Sequence, residues 1–341
     1  MTKTIPNISL STSNLNNPIV VIGGGSIGKR HINNLQTLGF KNIYCLKREY
    51  NSDFEKNLKV KVITSYRELK VINPWAVFIC NPTSLHIESL QEAVNLGAHI
   101  FMEKPLIHEA KGLEKAKEIL KNYDKVFFIG FMMRFHPLVK EVKNILETEN
   151  LGKVYAARLE FGSFLPYWHP YEDYKISYAA KKKLGGGVIN TITHELDLAQ
   201  YFFGNPESVK AHKMNIGKLD IDVEELFEGI LIYKDKMVSL HLDYLQKDYD
   251  RRISILCDEG SIRWNWHDNE VTVKKHKEED KIFPLKNFDV NQLYIDELKS
   301  FFNLIENNNT NHSLDSNHAF NNTEITLALH ESSDKGKIIN L

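Results

Sequence analysis

The chain lacks any long hydrophobic run. Its longest, Val126 to Met133, is interrupted by Gly130 and falls well short of the ~18 residues that a membrane-crossing helix requires. It also lacks an excess of either charge. With 43 Lys+Arg against 44 Asp+Glu the formal net charge is −1, so there is no global field to hold a polyanion, and neither nucleic acid nor an anionic membrane is an expected partner. Cysteine is scarce. Cys45, Cys80 and Cys257 lie far apart, each inside or at the end of an apolar run, which argues for buried thiols and against a disulfide framework or a zinc cluster. Met1 to Asn17 contain no apolar core of signal-peptide length, so this stretch reads as a mobile N-terminal extension (1–17) and the protein as cytoplasmic. What is present is an ordinary folded composition: 341 residues, 42% hydrophobic and 26% charged. That length suits about two domains.

From Pro18 onward the pattern is sharp. Ile19-Val20-Val21-Ile22 is a short β-branched run, followed by a glycine cluster and a helical stretch from Ile27 to Leu38 that Gly39 ends. The alternation continues with strands at 42–46, 76–80, 99–102 and 126–130 and helices at 65–71, 84–96 and 111–122. Continuously apolar strands alternating with helices predict a doubly wound parallel sheet, assigned to residues 18–136. After Arg134 a helix over 138–146 gives way to longer strand patterns at 154–164, 208–216, 227–233, 237–244, 252–257, 261–266 and 271–275. Lys234-Asp235-Lys236 and Asp258-Glu259-Gly260 have hairpin length and chemistry, so residues 137–341 are expected to form an α+β domain on a mainly antiparallel sheet. Helical patterns return at 293–305 and 323–329 around the Asn-rich 307–311.

Gly23-Gly24-Gly25-Ser26-Ile27-Gly28 satisfies G-x-G-x-x-G directly after a strand and at the start of a helix. In that setting the glycines let the backbone approach a pyrophosphate, whose charge faces the free N–H groups of Ser26 and Ile27 at the helix start. The alternative is a tight turn and nothing more. The second strand ends in Lys47-Arg48, where an NAD-selective site usually places an acid on the ribose. Two cations suit the 2′-phosphate of NADP; a solvated basic turn, an arginine stacked on adenine, or NAD recognised through Glu49 are the alternatives.

Asn81-Pro82-Thr83-Ser84-Leu85-His86 and Glu103-Lys104-Pro105 follow strands, at the carboxyl ends where such sheets place ligands. Lys104 can donate to a substrate oxygen, or else belong to an exposed, salt-bridged turn. Further on, Gly185-Gly186-Gly187 leads into a helical pattern that puts Asn190, His194 and Asp197 on one face at i, i+4 and i+7. Histidine is the natural proton acceptor near neutral pH, which makes His194 the candidate base of an alcohol-oxidising site. A zinc ligand and a satisfied core histidine compete with that reading, although the second histidine of H-E-x-x-H is missing and no metal is expected.

The order of these motifs resembles the glucose-fructose oxidoreductase, inositol dehydrogenase and rhizopine-catabolism (Gfo/Idh/MocA) family. The resemblance rests on the glycine turn, N-P-x-x-x-H, E-K-P, the Gly130–Pro137 stretch and the triple-glycine helix ending in His194, and it runs from Ile19 onward. It implies an NAD(P)-dependent oxidoreductase acting on CH–OH groups of a sugar, sugar nucleotide, sugar acid or cyclitol, an open-faced C-terminal sheet that binds substrate and builds a homodimer or homotetramer, and NADP or NAD as cofactor. By position Lys104 corresponds to the active-site lysine and His194 to the catalytic histidine. Asn81, Pro82, His86 and Glu103 fall among the cofactor-lining residues, and Arg134, Trp168 and Asn190 among those facing substrate. The family commonly has Asp where this chain has Asn190, and an amide cannot accept a proton. Lys181-Lys182-Lys183 and the 166–174 loop resemble a subgroup associated with surface-sugar and sugar-nucleotide pathways, which implies an anionic sugar. A hydrolase using transient oxidation and a noncatalytic dinucleotide sensor are the remaining classes.

Overall fold

The computed structural model describes residues 14–341. The expected mobile extension lies outside the described residues up to position 13. Its last residues are packed instead: Asn14–Asn16 form a 3-10 turn, and the Leu15 carbonyl accepts from the Lys41 N–H at 3.3 Å.

Two compact units make up the chain. The first comprises residues up to Ile107, Lys111–Met132 and Val290–Phe320. It holds β1 (Ile19–Ile22), α1 (Ser26–Thr37), β2 (Ile43–Leu46), α2 (Ser52–Leu58), β3 (Lys61–Ile63), α3 (Tyr66–Ile72), β4 (Ala76–Ile79), α4 (His86–Asn95), β5 (His99–Glu103), α5 (Ala110–Leu120) and β6 (Phe127–Gly130). The six strands pair in parallel in the order β3-β2-β1-β4-β5-β6. The order reverses between β1 and β4, and in open parallel sheets the crevice at that reversal is the ligand position. The pair α2 and β3 was not anticipated. Asn51 caps α2 by accepting from the Phe54 N–H at 2.7 Å, but that helix is only seven residues long, too short for a periodic signal.

One contact explains why residues 290–320 belong to this unit and not, as a linear division at 136/137 has it, to the second. Phe78, Phe101 and Phe128 are register partners on β4, β5 and β6 and stack at 5.0 and 5.4 Å. Phe301 stands edge-on to all three at 5.6, 5.7 and 5.9 Å, while Phe302 stacks on Trp75 at 5.7 Å. Both are fully buried, each contributing about 1.5–3 kcal/mol by that burial.

The second unit comprises His108–Ala110, Met133–Asp289 and Asn321–Leu341. Its elements are α6 (Pro137–Thr148), β7 (Val154–Gly162), α7 (Val188–Thr191), α8 (His194–Phe203), β8 (Ser208–Met214), β9 (Leu226–Ile232), β10 (Met237–Asp243), β11 (Asp250–Cys257), β12 (Gly260–Asn265), β13 (Glu270–Lys275) and β14 (Lys281–Pro284). Next along the chain, α9 (Asn291–Glu306) belongs to the first unit, α10 (Ser316–Lys335) begins in the first unit and ends in the second, and β15 (Ile339–Asn340) belongs to the second. Nine strands form one sheet in the order β14-β13-β12-β11-β7-β10-β9-β8-β15, antiparallel except where β10 runs beside β7. The strict alternation of Val238, Leu240 and Leu242 (buried) with Met237, Ser239 and His241 shows that one face is covered and the other open. Among the described residues no helix is long and apolar enough to cross a membrane.

Candidate functional site

In the first unit the glycine turn lies at the sheet's reversal point. Gly23 has φ +106°, and a side chain there would strike the Asn81 N atom at 2.7 Å, so the β1 and β4 ends approach as closely as backbones can. Gly28 lets α1 close on the Gly23 carbonyl. Gly25 caps α1 with no side-chain bond to the first turn, and the space where its side chain would stand is open. Gly25 and Ser26 are exposed, and no acid occupies the first turn. The unsatisfied N–H groups of a twelve-residue helix thus face open space, the arrangement that a pyrophosphate fills.

Lys47 flanks Gly24 and places its ammonium 4.0 Å from the centre of the Phe54 ring, while Arg48 and Glu49 are exposed. Phe54, at the mouth of the turn, was not identified from the sequence because it sits on the unrecognised α2. Asn81 donates to Ser89 Oγ at 2.8 Å. Pro82 opens the 3-10 turn Thr83–Leu85. Both ring nitrogens of buried His86 face backbone carbonyls, of Leu106 at 3.1 Å and Asn81 at 3.0 Å, and burial lowers its pKa. His86 therefore ties the loop after β4 to the one after β5. Glu103 ends β5 with Oε1 2.6 Å from Nε2 of His31, and Lys104 follows half-buried.

In the second unit the helix expected to run through Asn190, His194 and Asp197 is broken. α7 stops at Thr191, Ile192 turns away with φ −103° and ψ 52°, and His194 is the first residue of α8. Four of the residues from 189 to 193 are β-branched, which weakens helix formation, and the Asn190 amide donates back to the Gly186 carbonyl at 3.0 Å. The three polar residues consequently have separate surroundings. His194 is 9% exposed. Asp197, fully buried, takes Nε and Nη2 of Arg134 at 2.9 and 2.8 Å. Arg134, expected to face substrate, thus holds a buried carboxylate, with its guanidinium carbon 5.0 Å from the centre of the Tyr201 ring. Glu195 is held the same way by Arg251 Nε at 2.7 Å. Two buried arginines thereby clamp α8 on either side of its first turn. Trp168 donates to Ser163 Oγ at 2.9 Å and stands edge-on to Tyr244 at 5.4 Å. Lys182 and Lys183 are exposed, as a solvated cluster is.

Comparison with known proteins accords with both units. Residues 18–131 match the model of an oxidoreductase family with an NAD-binding Rossmann fold, and residues 139–263 match the GFO/IDH/MocA C-terminal domain. A myo-inositol 2-dehydrogenase of Thermotoga maritima is 28% identical over 72% of this chain and 74% of its own length. An uncharacterized oxidoreductase of Bacillus subtilis is also 28% identical, over 54% of this chain, and the match spans about half (53%) of that relative. A levoglucosan dehydrogenase solved with NADH and levoglucosan shares the fold with a TM-score of 0.84 at 19% identity, covering 95% of this chain and 99% of that one. The chain belongs to the Gfo/Idh/MocA oxidoreductase family, with an NAD-binding Rossmann domain and the family's C-terminal domain.

Proposed function

We propose that the protein is an NAD(P)-dependent dehydrogenase that interconverts a carbinol and a carbonyl on a sugar or cyclitol. The observation that carries this reading is the uncapped, open start of α1 at the sheet's reversal point, in a chain whose second unit presents His194 at the head of a clamped helix. Gly23, Gly25 and Gly28 with the N–H groups of Ser26 and Ile27 hold the pyrophosphate. Lys47 and Arg48, with no acid between them and the strand, favour the 2′-phosphate of NADP over NAD. When bound, the nicotinamide accepts or returns two electrons with a hydrogen at the carbinol carbon. Lys104 donates a hydrogen bond to the reacting oxygen, and the imidazole of His194 takes the hydroxyl proton in oxidation and returns it in reduction. Asn190 positions without ionising.

Relatives named as dehydrogenases of inositol, levoglucosan and D-xylose support a polyol substrate. An anionic sugar is the form that exposed Lys182 and Lys183 would attract. A homodimer or homotetramer would use the open sheet face, where Ile232, Met237, Ala156 and Leu256 form one transverse row across β9, β10, β7 and β11, with Met237 57% and Leu256 53% exposed. Unbridged, buried cysteines suit a cytoplasmic location.

The test is to incubate the purified protein with each dinucleotide and a panel of sugars, cyclitols, sugar acids and sugar nucleotides while following nicotinamide absorbance. Steady net reduction with one substrate class supports the reading. Glycoside cleavage without net cofactor turnover, or tight dinucleotide binding with no turnover on the panel, overturns it in favour of the hydrolase or the sensor.

A further inference from the structure

The amide of Asn190 has a protein partner at each end. Nδ2 donates to the Gly186 carbonyl at 3.0 Å, and Oδ1 lies 3.2 Å from Nε2 of His330 on α10. Nδ1 of His330 is 3.1 Å from the ammonium of Lys213 on β8, which is paired with Asp334 at 2.9 Å. An ammonium can only donate, so Nδ1 of His330 is the acceptor and Nε2 carries the proton. That proton in turn requires an oxygen opposite it, which sets the orientation of the Asn190 amide and leaves Nδ2 toward Gly186. Four side chains from three separated stretches of sequence thus form one line of contacts between an exposed carboxylate and a buried amide: Lys213 donates both to Asp334 and to His330, and His330 donates to Asn190.

The charge environment is consistent with a neutral imidazole. Burial, and then Lys213, hold the His330 pKa down at about 4, with Lys182 and His108 acting in the same direction and Asp334 opposing. Glu224 is a further carboxylate, one that Lys213 and Asp334 act on. It accepts from the Ile189 N–H at 3.3 Å, and burial raises its pKa. A carboxylate at position 190 would confront His330 directly, draw a proton onto the imidazole and set that new cation beside the Lys213 ammonium. An amide creates no such charge.

We propose that His330 is a positioning residue: held in one tautomer by Lys213, it fixes the Asn190 amide and through it the 190–193 break that delivers His194 to the head of α8. This rests on the reading of His194 as the proton-handling group. It names a reason for asparagine at position 190, which is to match a neutral histidine donor.

Two measurements separate this proposal from that reading. Nitrogen-15 NMR of the imidazoles in the wild-type protein is expected to show His330 as the neutral Nε2–H tautomer between about pH 5 and 8. In N190D its pKa is expected to climb by about 1 to 3 pH units as the carboxylate favours the cation. The Nδ1–H tautomer, ordinary titration in the wild type, or no response to N190D overturns the lock, whether or not any hydride transfer is found. In turnover, H330A is expected to lower kcat roughly ten- to a hundredfold through misplacement of His194, with the KM for dinucleotide unchanged. H330Q, which keeps an amide N–H donor and a carbonyl acceptor, is expected to recover most of that loss. Equal activity of H330A and the wild type, or equal loss in H330A and H330Q, overturns the positioning role. Should the substrate panel give no turnover, the function fails and the spectroscopic result alone decides the lock.

Discussion

Nε2 of His31 lies 2.6 Å from Oε1 of Glu103, joining the helix that begins at the glycine turn to the loop that bears Lys104. His31 is fully buried against Phe78 and Phe101, with ring centres 5.7 and 4.9 Å away, so the carboxylate has one well-placed donor in apolar surroundings. Replacing His31 with Leu deprives a largely buried carboxylate of that donor and is expected to cost about 1–3 kcal/mol in urea unfolding. His31→Gln, which retains an N–H donor, should recover part of it. An unfolding midpoint unchanged in His31→Leu would show that the contact contributes nothing.

The Arg134–Asp197 pair predicts a strong asymmetry between single and double variants. Arg134→Met takes the guanidinium away from the buried Asp197 carboxylate, and the expected loss is about 3–5 kcal/mol. Combining it with Asp197→Leu removes both charges and should restore much of the stability. Denaturant midpoints of the three variants check this. If Arg134→Met is fully stable and only the KM for substrate rises, the guanidinium serves the ligand and not the helix.

Cofactor choice follows from Lys47 and Arg48. Two charge-assisted contacts at roughly 1.5–3 kcal/mol each give NADP at least a tenfold advantage over NAD. Part of the Lys47 charge already rests on the Phe54 ring, so Arg48→Ala is expected to reduce the preference more than Lys47→Ala. Titration of both dinucleotides against the two variants decides it. Tighter NAD binding that neither variant alters would move recognition to Glu49 or the backbone.

Removing the proton-handling groups should separate rate from affinity. His194→Ala and Lys104→Ala are each expected to lower kcat by ~10²–10⁴ with little change in dinucleotide affinity, because the glycine turn that holds the pyrophosphate is untouched. Near-native turnover in both variants would refute the assignment.

The open sheet face carries a pH-dependent element. His241 bonds Asp243 at 3.2 Å and Glu228 at 2.6 Å. These carboxylates, Asp243 foremost and against an opposing burial effect, raise its pKa to about 9. A histidine whose folded-state pKa exceeds its unfolded value stabilises the fold fully below about pH 6.5, and that contribution disappears as the pH rises through about 9. Unfolding midpoints of the wild type are therefore expected to fall between pH 7 and 10 relative to His241→Gln. Parallel profiles for the two proteins would rule out a net contribution from this cluster.

Much of the molecule could be read from its sequence, because the relevant physics is local. Ile19–Ile22 is apolar on both faces and can only be an inner strand; the glycine turn directly after it needs backbone that no other residue supplies at Gly23; and the alternation in Met237–Asp243 marks a sheet covered on one side. These features established a parallel dinucleotide-binding sheet followed by a mainly antiparallel one. Periodicity reports which face of an element is apolar but not which element covers it. For that reason residues 290–320 were assigned to the second domain, whereas Phe301 completes the aromatic layer of the first sheet.

Buried polar groups are decided by tertiary structure for a related reason. A charge removed from water must find its partner wherever the fold brings one, and sequence distance carries no information about that. Arg134 and Asp197 are 63 residues apart, and His330 and Asn190 are 140 apart. From the chain alone Arg134 and Asn190 read as groups that face a substrate, and Asp197 as a further polar residue on the helical face of Asn190 and His194. Only the packed structure shows Arg134 neutralising Asp197 and Asn190 held by His330, because desolvation makes each of those pairings more favourable than leaving the group alone.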